Sequence, residues 1–357
     1  MLAWLFLALT LLAGTAPGQT PPNAVSPPPR VHFVATGGTI SNKDGGRLTA
    51  EELVKSMPGV DRYARLTYEQ FANVASSELS LQQWLGLSKR INEIFASEKD
   101  VAGVVVTSGT DTLEETAFFL HLTVRDPRPV VIVGSMRNPS TLGYEGAANL
   151  LEGVRVAADP ASRDKGALVV MNDEINSARH ATKTDALRLQ TFRGREFGQL
   201  GVVDRDRVVY FQQIAQRHNA GVEFDVTKVT ELPRVDVIWV YQGAPGDLIK
   251  AAVDNGAKGI VIATAGAGAT SGTQGEGLAY AAEKGVFVVT TTRTGSGRIA
   301  PSGPLPPNFQ PSAAQQRRRQ FSIAGEDHIP VKARILLMLA LTKTTSRDEI
   351  QRMFSEY

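Results

Sequence analysis

The sequence predicts an α/β protein in two blocks: a larger N-terminal one with a mainly parallel sheet, and a smaller C-terminal one. Two observations carry that prediction. Short Val- and Ile-rich runs alternate with segments of helical period, which is the pattern of parallel strands joined by helices. The alternation lapses over a polar, less periodic stretch at residues 212–234 and resumes near Val235. No short fixed repeat is visible in either block.

The elements follow in order. Val31-His32-Phe33-Val34 reads as a buried strand. Leu81, Trp84, Leu85, Leu87, Ile91 and Ile94 recur at helical spacing and predict a helix over residues 81–95. Residues 101–106 are a second apolar strand. Thr112-Leu113-Glu114-Glu115 has the form of a capping box opening the next helix, which runs through Phe119 and Leu122. A strand over 130–133 ends at Gly134-Ser135, a helix covers 147–158, and another strand covers 166–171. The second block has strands over 237–241, 259–263 and 286–290 with helices between them, and closes on an apolar helix over 331–342. The predicted division is therefore 31–211 for the N-terminal domain, 212–234 for a linker and 235–357 for the C-terminal domain.

A chain of 357 residues has ample material for such cores. Lysine and arginine total 38 against 36 acidic residues, a net charge of +2. No basic block is long enough to bind nucleic acid, and Arg317-Arg318-Arg319 reads as a solvated face. The absence of cysteine removes disulfides, thiol nucleophiles, zinc–thiolate sites and iron–sulfur clusters, while leaving the redox compartment open. Residues 2–13 are apolar and 14–18 small, a run shorter than the roughly 20 residues needed to span a bilayer. That is the form of a secretory signal over residues 1–18, predicting a periplasmic or secreted protein; an uncleaved anchor or a buried helix is the alternative. A Pro-rich spacer over 19–30 follows.

Two segments concentrate the chemistry. Ala35-Thr36-Gly37-Gly38-Thr39-Ile40 and Thr107-Ser108-Gly109-Thr110-Asp111-Thr112 each follow a predicted strand. Each puts a threonine on a turn at a strand end, where ligands gather in open α/β sheets. Neither contains Gly-Lys-Ser/Thr or G-x-G-x-x-G, so nucleotide binding is disfavoured, and no G-x-S-x-G elbow is present. The five histidines show no metal-ligand spacing and read as surface or satisfied core residues. A threonine hydroxyl needs a neighbouring base or cation to react at neutral pH. Asp111 and Lys183, the latter in Ala181-Thr182-Lys183-Thr184, are candidates. Sequence spacing does not bring Lys183 to Thr110, and a solvated lysine is the plain alternative.

On these residues the chain resembles the bacterial type II L-asparaginases, which include the asparaginase–glutaminases. The resemblance spans residues 31–357. It rests on the two segments above, the second extended by Leu113-Glu114-Glu115-Thr116, and on Val133-Gly134-Ser135-Met136-Arg137. Val169-Val170-Met171-Asn172-Asp173 with Thr182-Lys183-Thr184, and the C-terminal run from Ala333 to Thr342, add to it. The resemblance implies a two-domain asparaginase-type α/β fold and no cofactor or metal. It also implies a homotetramer of dimers with active sites at the dimer interface, and L-asparagine as the small-molecule substrate. By motif position, Thr39 would be the nucleophile, Thr110 and Lys183 the second threonine–lysine pair, and Asp111 the partner of the substrate α-amino group. Ser76 would hold the α-carboxylate, and Ser135 would fall where a backbone carbonyl meets the leaving amide. Covalent acyl transfer and direct water attack on an amide polarised by Thr39 are both compatible with this set.

Several positions depart from the family. Ser77 stands where a substrate-binding glutamine is usual. The loop Ser41-Asn42-Lys43-Asp44-Gly45-Gly46-Arg47-Leu48 is short and lacks the family's catalytic tyrosine. Ala267 occupies the asparagine position of the second domain's glycine-rich turn, and no interface glutamate is evident over 293–299. Two rival readings remain at this level: hydrolysis of glutamine or another small amide, and a secreted amino-acid-binding protein without catalysis. The intact threonine–threonine–lysine set argues against the second.

Overall fold

The computed structural model describes residues 27–357, so the predicted leader and most of the spacer lie outside the described residues. The N-terminal block is built on an eight-stranded sheet. Its strands are β1 (Arg30–Gly37), β2 (Arg65–Val74), β3 (Val101–Thr107), β4 (Val130–Val133), β5 (Ala167–Met171), β6 (Glu174–Ser177), β7 (Gly201–Val203) and β8 (Val208–Tyr210). Their spatial order is β8-β7-β6-β5-β4-β3-β1-β2. The five strands from β2 to β5 pair in parallel, and β6, β7 and β8 continue antiparallel.

The parallel centre forms where the sequence is a near-continuous run of Val and Ile, because helices cover both faces. On one face α1 (Ala50–Lys55) and α4 (Gly146–Ala158) pack Leu53, Leu150 and Val154 against Phe33, Val105 and Val131. On the other face α2 (Leu81–Ser97) and α3 (Leu113–Thr123) pack Leu87, Ile91, Leu113 and Leu120 against Val34, Val104 and Ile132. Each such side chain contributes about 1.5–3 kcal/mol on full burial. Helix α2 starts as its sequence dictates. Ser80 Oγ accepts from the Gln83 N–H at 3.2 Å, and Gln83 Oε1 accepts from the Ser80 N–H at 2.9 Å.

Helix α3 corrects the expected capping box. It begins at Leu113 with Thr112 as N-cap, but Thr112 (φ −124°, ψ 20°) makes no side-chain cap bond. A capping side chain needs extended backbone to fold back over the first turn. Here the Thr112 N–H instead donates to Ser76 Oγ at 3.3 Å, and its hydroxyl is buried without a partner.

The C-terminal block holds β9 (Val235–Trp239), β10 (Gly259–Thr264), β11 (Phe287–Thr292) and β12 (Ser322–Ala324), parallel and side by side in chain order. Helices α5 (Asp247–Asp254) and α6 (Gln274–Glu283) cover one face. The chain then forms α7 (Ala313–Gln320), α8 (Pro330–Leu341) and α9 (Arg347–Glu356). Helix α8 is apolar apart from Lys332 and Arg334, and most of it is buried accordingly. One cluster joins its residues to Val261 and Val289 of the second sheet, to Trp84 and Leu85 of α2, and to Phe118 and Phe119 of α3. Residues 212–234 contain one short 3-10 turn, Asn219–Gly221, yet Val222, Phe224, Val226 and Leu232 are buried in that same cluster.

Candidate active site

The order of the first five strands, β2-β1-β3-β4-β5, reverses between β1 and β3, and ligands bind outside the carboxyl ends of strands at such a switch point. Both threonine segments leave the sheet there. Thr39 opens a 3-10 turn, Thr39–Ser41, immediately after β1, and Thr110 follows β3. The two strand ends are laced together. The Thr36 N–H donates to Thr107 Oγ1 at 3.1 Å, and Thr36 Oγ1 donates to the Thr107 carbonyl at 2.6 Å.

The glycines let the turns touch. Gly38 has φ 91°, a conformation that favours glycine, and a Cβ there would overlap the backbone of Gly109. Ser76, just past β2, closes the group. Its Oγ would lie 2.8 Å from a Cβ at Gly109. Ser77 beside it is exposed.

Lys183 joins this cluster. It lies on a short strand, Thr182–Lys183, paired antiparallel with Phe192–Arg193. Its Nζ donates to Thr110 Oγ1 at 3.1 Å and to Asp111 Oδ1 at 2.7 Å. The lysine side chain is 15% exposed and the Asp111 side chain 75% exposed. The cation is therefore held in the protein, while the carboxylate faces outward with one oxygen engaged. Among the described residues, no group hydrogen-bonds the Thr39 hydroxyl, and Thr39 is half-buried.

Ser135 is fully buried and donates its hydroxyl to the Arg137 carbonyl at 2.6 Å. Its side chain is thus committed internally, and only its backbone remains for a ligand. Arg298, on the loop after β11, is ion-paired with Glu326.

Two positioning residues escaped the sequence reading. Asn149 on α4 donates from Nδ2 to the Gly134 carbonyl at 3.0 Å and accepts from the Asn172 N–H at 3.0 Å. It ties the turn after β4 to the turn after β5. Lys332 on α8 is buried, and its Nζ donates to the carbonyls of Ala178, Arg179 and Ala181 at 2.9, 3.1 and 2.5 Å. Burial pulls its pKa down to about 7. Three carbonyls take the three N–H groups of an ammonium, which fixes the segment leading directly into Thr182-Lys183. A lysine in a helix that is apolar apart from it and Arg334 was the available signal.

The histidines are less well satisfied than expected. His121, His180 and His328 are buried with one ring nitrogen each lacking a partner. Burial lowers all three pKa values, that of His180 to about 3. His121 and His328 pack against Phe118, and His180 stacks on Phe197.

Fold and site together define a two-domain α/β protein that gathers hydroxyl groups and a half-buried lysine at the switch point of its larger sheet. Residues 30–216 match the family model described as Asparaginase, N-terminal, and residues 234–354 match the Glutaminase/Asparaginase C-terminal domain. The chain belongs to the asparaginase family. It is 42% identical to L-asparaginase 2 of Bacillus subtilis over 92% of this chain and 87% of that protein. It is 37% identical to L-asparaginase 2 of Escherichia coli over 92% and 93%. The crystal structure of a probable cytoplasmic L-asparaginase from Campylobacter jejuni superposes with a TM-score of 0.82 at 36% identity, covering 92% of this chain and all of that one.

Proposed function

We propose that this protein hydrolyses the side-chain amide of L-asparagine to L-aspartate and ammonia, with Thr39 as nucleophile. The observation that carries the reading is the Lys183–Thr110–Asp111 cluster beside the turn that presents Thr39. Thr39 Oγ1 attacks the amide carbon, and backbone N–H groups of the glycine-rich turns stabilise the oxyanion. The C–N bond then breaks. The proton given up by Thr39 ends on the departing nitrogen, relayed through the Thr110 hydroxyl that the Lys183 ammonium polarises, and ammonia leaves. Water adds to the resulting ester, breaks the acyl–oxygen bond and restores the Thr39 hydroxyl. Asp111 receives the substrate ammonium on its exposed carboxylate, and Ser76 Oγ faces the α-carboxylate.

The test is Thr39→Ala, assayed by ammonia release from asparagine, glutamine and simple amides. A nucleophile loss exceeds the ~10²–10⁴-fold of a missing acid–base group. A variant keeping a tenth of wild-type turnover would overturn the assignment. We further propose a homotetramer of dimers. Leu142 and Leu187, 97% and 85% exposed, stand on the loop before α4 and the loop after Lys183, apolar surface for a partner subunit to cover. Export with removal of residues 1–18 rests on the apolar N-terminal run, and mass spectrometry of the mature N-terminus tests it.

A further inference from the structure

The short loop after Thr39 has no tyrosine of its own, yet a tyrosine from elsewhere reaches the turn. Tyr144, on the loop between β4 and α4, donates its hydroxyl to the Ile40 carbonyl at 2.9 Å across 104 residues. Its ring packs against the cluster that contains Ile40 and Ala35. Gly146 makes room for that ring, since a Cβ there would overlap it. The same loop makes a second tie to the Thr39 side, where Ser140 Oγ accepts from the Asp44 N–H at 2.9 Å.

The loop is itself closed by internal hydrogen bonds. Asn138 Oδ1 accepts from the Ser140 N–H at 3.0 Å and from Thr141 Oγ1 at 2.8 Å. The Tyr144 N–H donates to the Thr141 carbonyl at 3.1 Å. Glu145 takes the N–H groups of Met136 and Arg137, anchoring the loop to the end of β4.

The turn uses its own carbonyls locally. Gly38's accepts from the Ser41 N–H at 3.0 Å, and Thr39's accepts from the Asn42 N–H. Ile40's accepts from Tyr144, which fixes the plane of the peptide following Ile40 and, through it, the orientation of the 3-10 turn.

We propose that Tyr144 is a positioning residue for Thr39: its hydroxyl clamps the Thr39–Ser41 turn so that the Thr39 hydroxyl meets the amide carbon. This rests on the reading of Thr39 as nucleophile. Burial and the Glu145 carboxylate push the phenol's ionisation above the ordinary tyrosine range. It therefore keeps its hydrogen through neutral and mildly alkaline pH and acts as a fixed donor rather than a proton carrier.

The experiment compares wild type, Thr39→Ala, Tyr144→Phe and Ser140→Ala by steady-state ammonia release from asparagine between pH 6 and pH 9. Misplacing a reacting atom by about 1 Å costs on the order of 10²-fold, so Tyr144→Phe should lower kcat by about 10- to 100-fold. KM should stay within about twofold, since substrate binding is unaltered. The loss should be equal at every pH. Ser140→Ala, which removes the outer tie, should lower kcat by about two- to fivefold on the same argument, and it decides the matter if Tyr144→Phe does not fold. A Tyr144→Phe enzyme with wild-type kcat, a change confined to KM, or a loss that grows on one limb of the pH profile would overturn the inference. An inactive wild type, or an active Thr39→Ala, would instead overturn the reading beneath it.

Discussion

Replacing Lys183 by Met separates catalysis from stability. Its Nζ makes two bonds in the site, 3.1 Å to Thr110 Oγ1 and 2.7 Å to Asp111 Oδ1. The ion pair contributes little to folding because its carboxylate is 75% exposed, and pairs of that kind are worth about 0–1 kcal/mol. Methionine keeps an apolar stem of similar length in the buried part of the site. The substitution should therefore lower stability by no more than about 1 kcal/mol. The catalytic loss should be much larger. Without the cation, the Thr110 hydroxyl is an ordinary alcohol, and loss of such acid–base help costs about 10²–10⁴-fold. At 1.36 kcal/mol per tenfold, that is about 2.7–5.4 kcal/mol on the barrier. Thermal melting and steady-state ammonia release on the same preparation measure the two terms. A variant with unchanged kcat and a raised KM would refute the role assigned to Lys183 and leave it as part of the ammonium site.

Asp111→Ala should show the converse, a raised KM for asparagine with kcat reduced far less, because the substrate ammonium loses a charge-assisted bond worth about 1.5–3 kcal/mol; a kcat-only effect in the same kinetics would contradict it. Gly38→Ala should depress kcat by on the order of 10²-fold while the protein still folds, since its Cβ drives apart the turns bearing Thr39 and Thr110; wild-type turnover would show that the turns need not touch. Glu152 governs a pH effect. Burial and neighbouring Asp173 raise its pKa from 4.5 to about 8, so the folded state holds a proton that the unfolded chain releases. Its contribution is present below pH 4.5 and is lost as pH rises through about 8. Glu152→Gln should flatten that fall in denaturant titrations across the window, and an unchanged slope would show that Glu152 is not its source.

What was legible in the sequence was what is local. Thr39 and Thr110 sit on turns that directly follow Val-rich runs, so strand, turn and hydroxyl are read within a dozen residues. Lys183 meets Thr110 across 73 residues, through a two-residue strand with no periodicity of its own. Only the resemblance paired them. The antiparallel strands β6, β7 and β8 are three or four residues long, too short for an alternating pattern to emerge. The Thr112 capping box was a correct pattern with the wrong outcome, because a tertiary bond to Ser76 took the backbone N–H and turned the residue away from extended geometry.

The site also depends on the C-terminal block in a way that neither threonine motif reveals. Lys183 is delivered by a segment of the N-terminal block, but that segment is held at Ala178, Arg179 and Ala181 by Lys332 of the C-terminal block. Arg179 adds a second tie, through its ion pair with Asp327 at 2.7 Å and its bond to the Tyr357 carbonyl at 2.5 Å. A charge as deeply buried as Lys332 is costly unless every donor is met, and here the carbonyls that meet it belong to the segment it positions. Removing the ammonium would leave those buried carbonyls unsatisfied, at about 1–3 kcal/mol each. The segment would then relax toward other partners, taking Lys183 away from Thr110. On the proposed function, the C-terminal block would thus act on the chemistry within a single subunit, as the support that keeps the cation in reach of the second threonine.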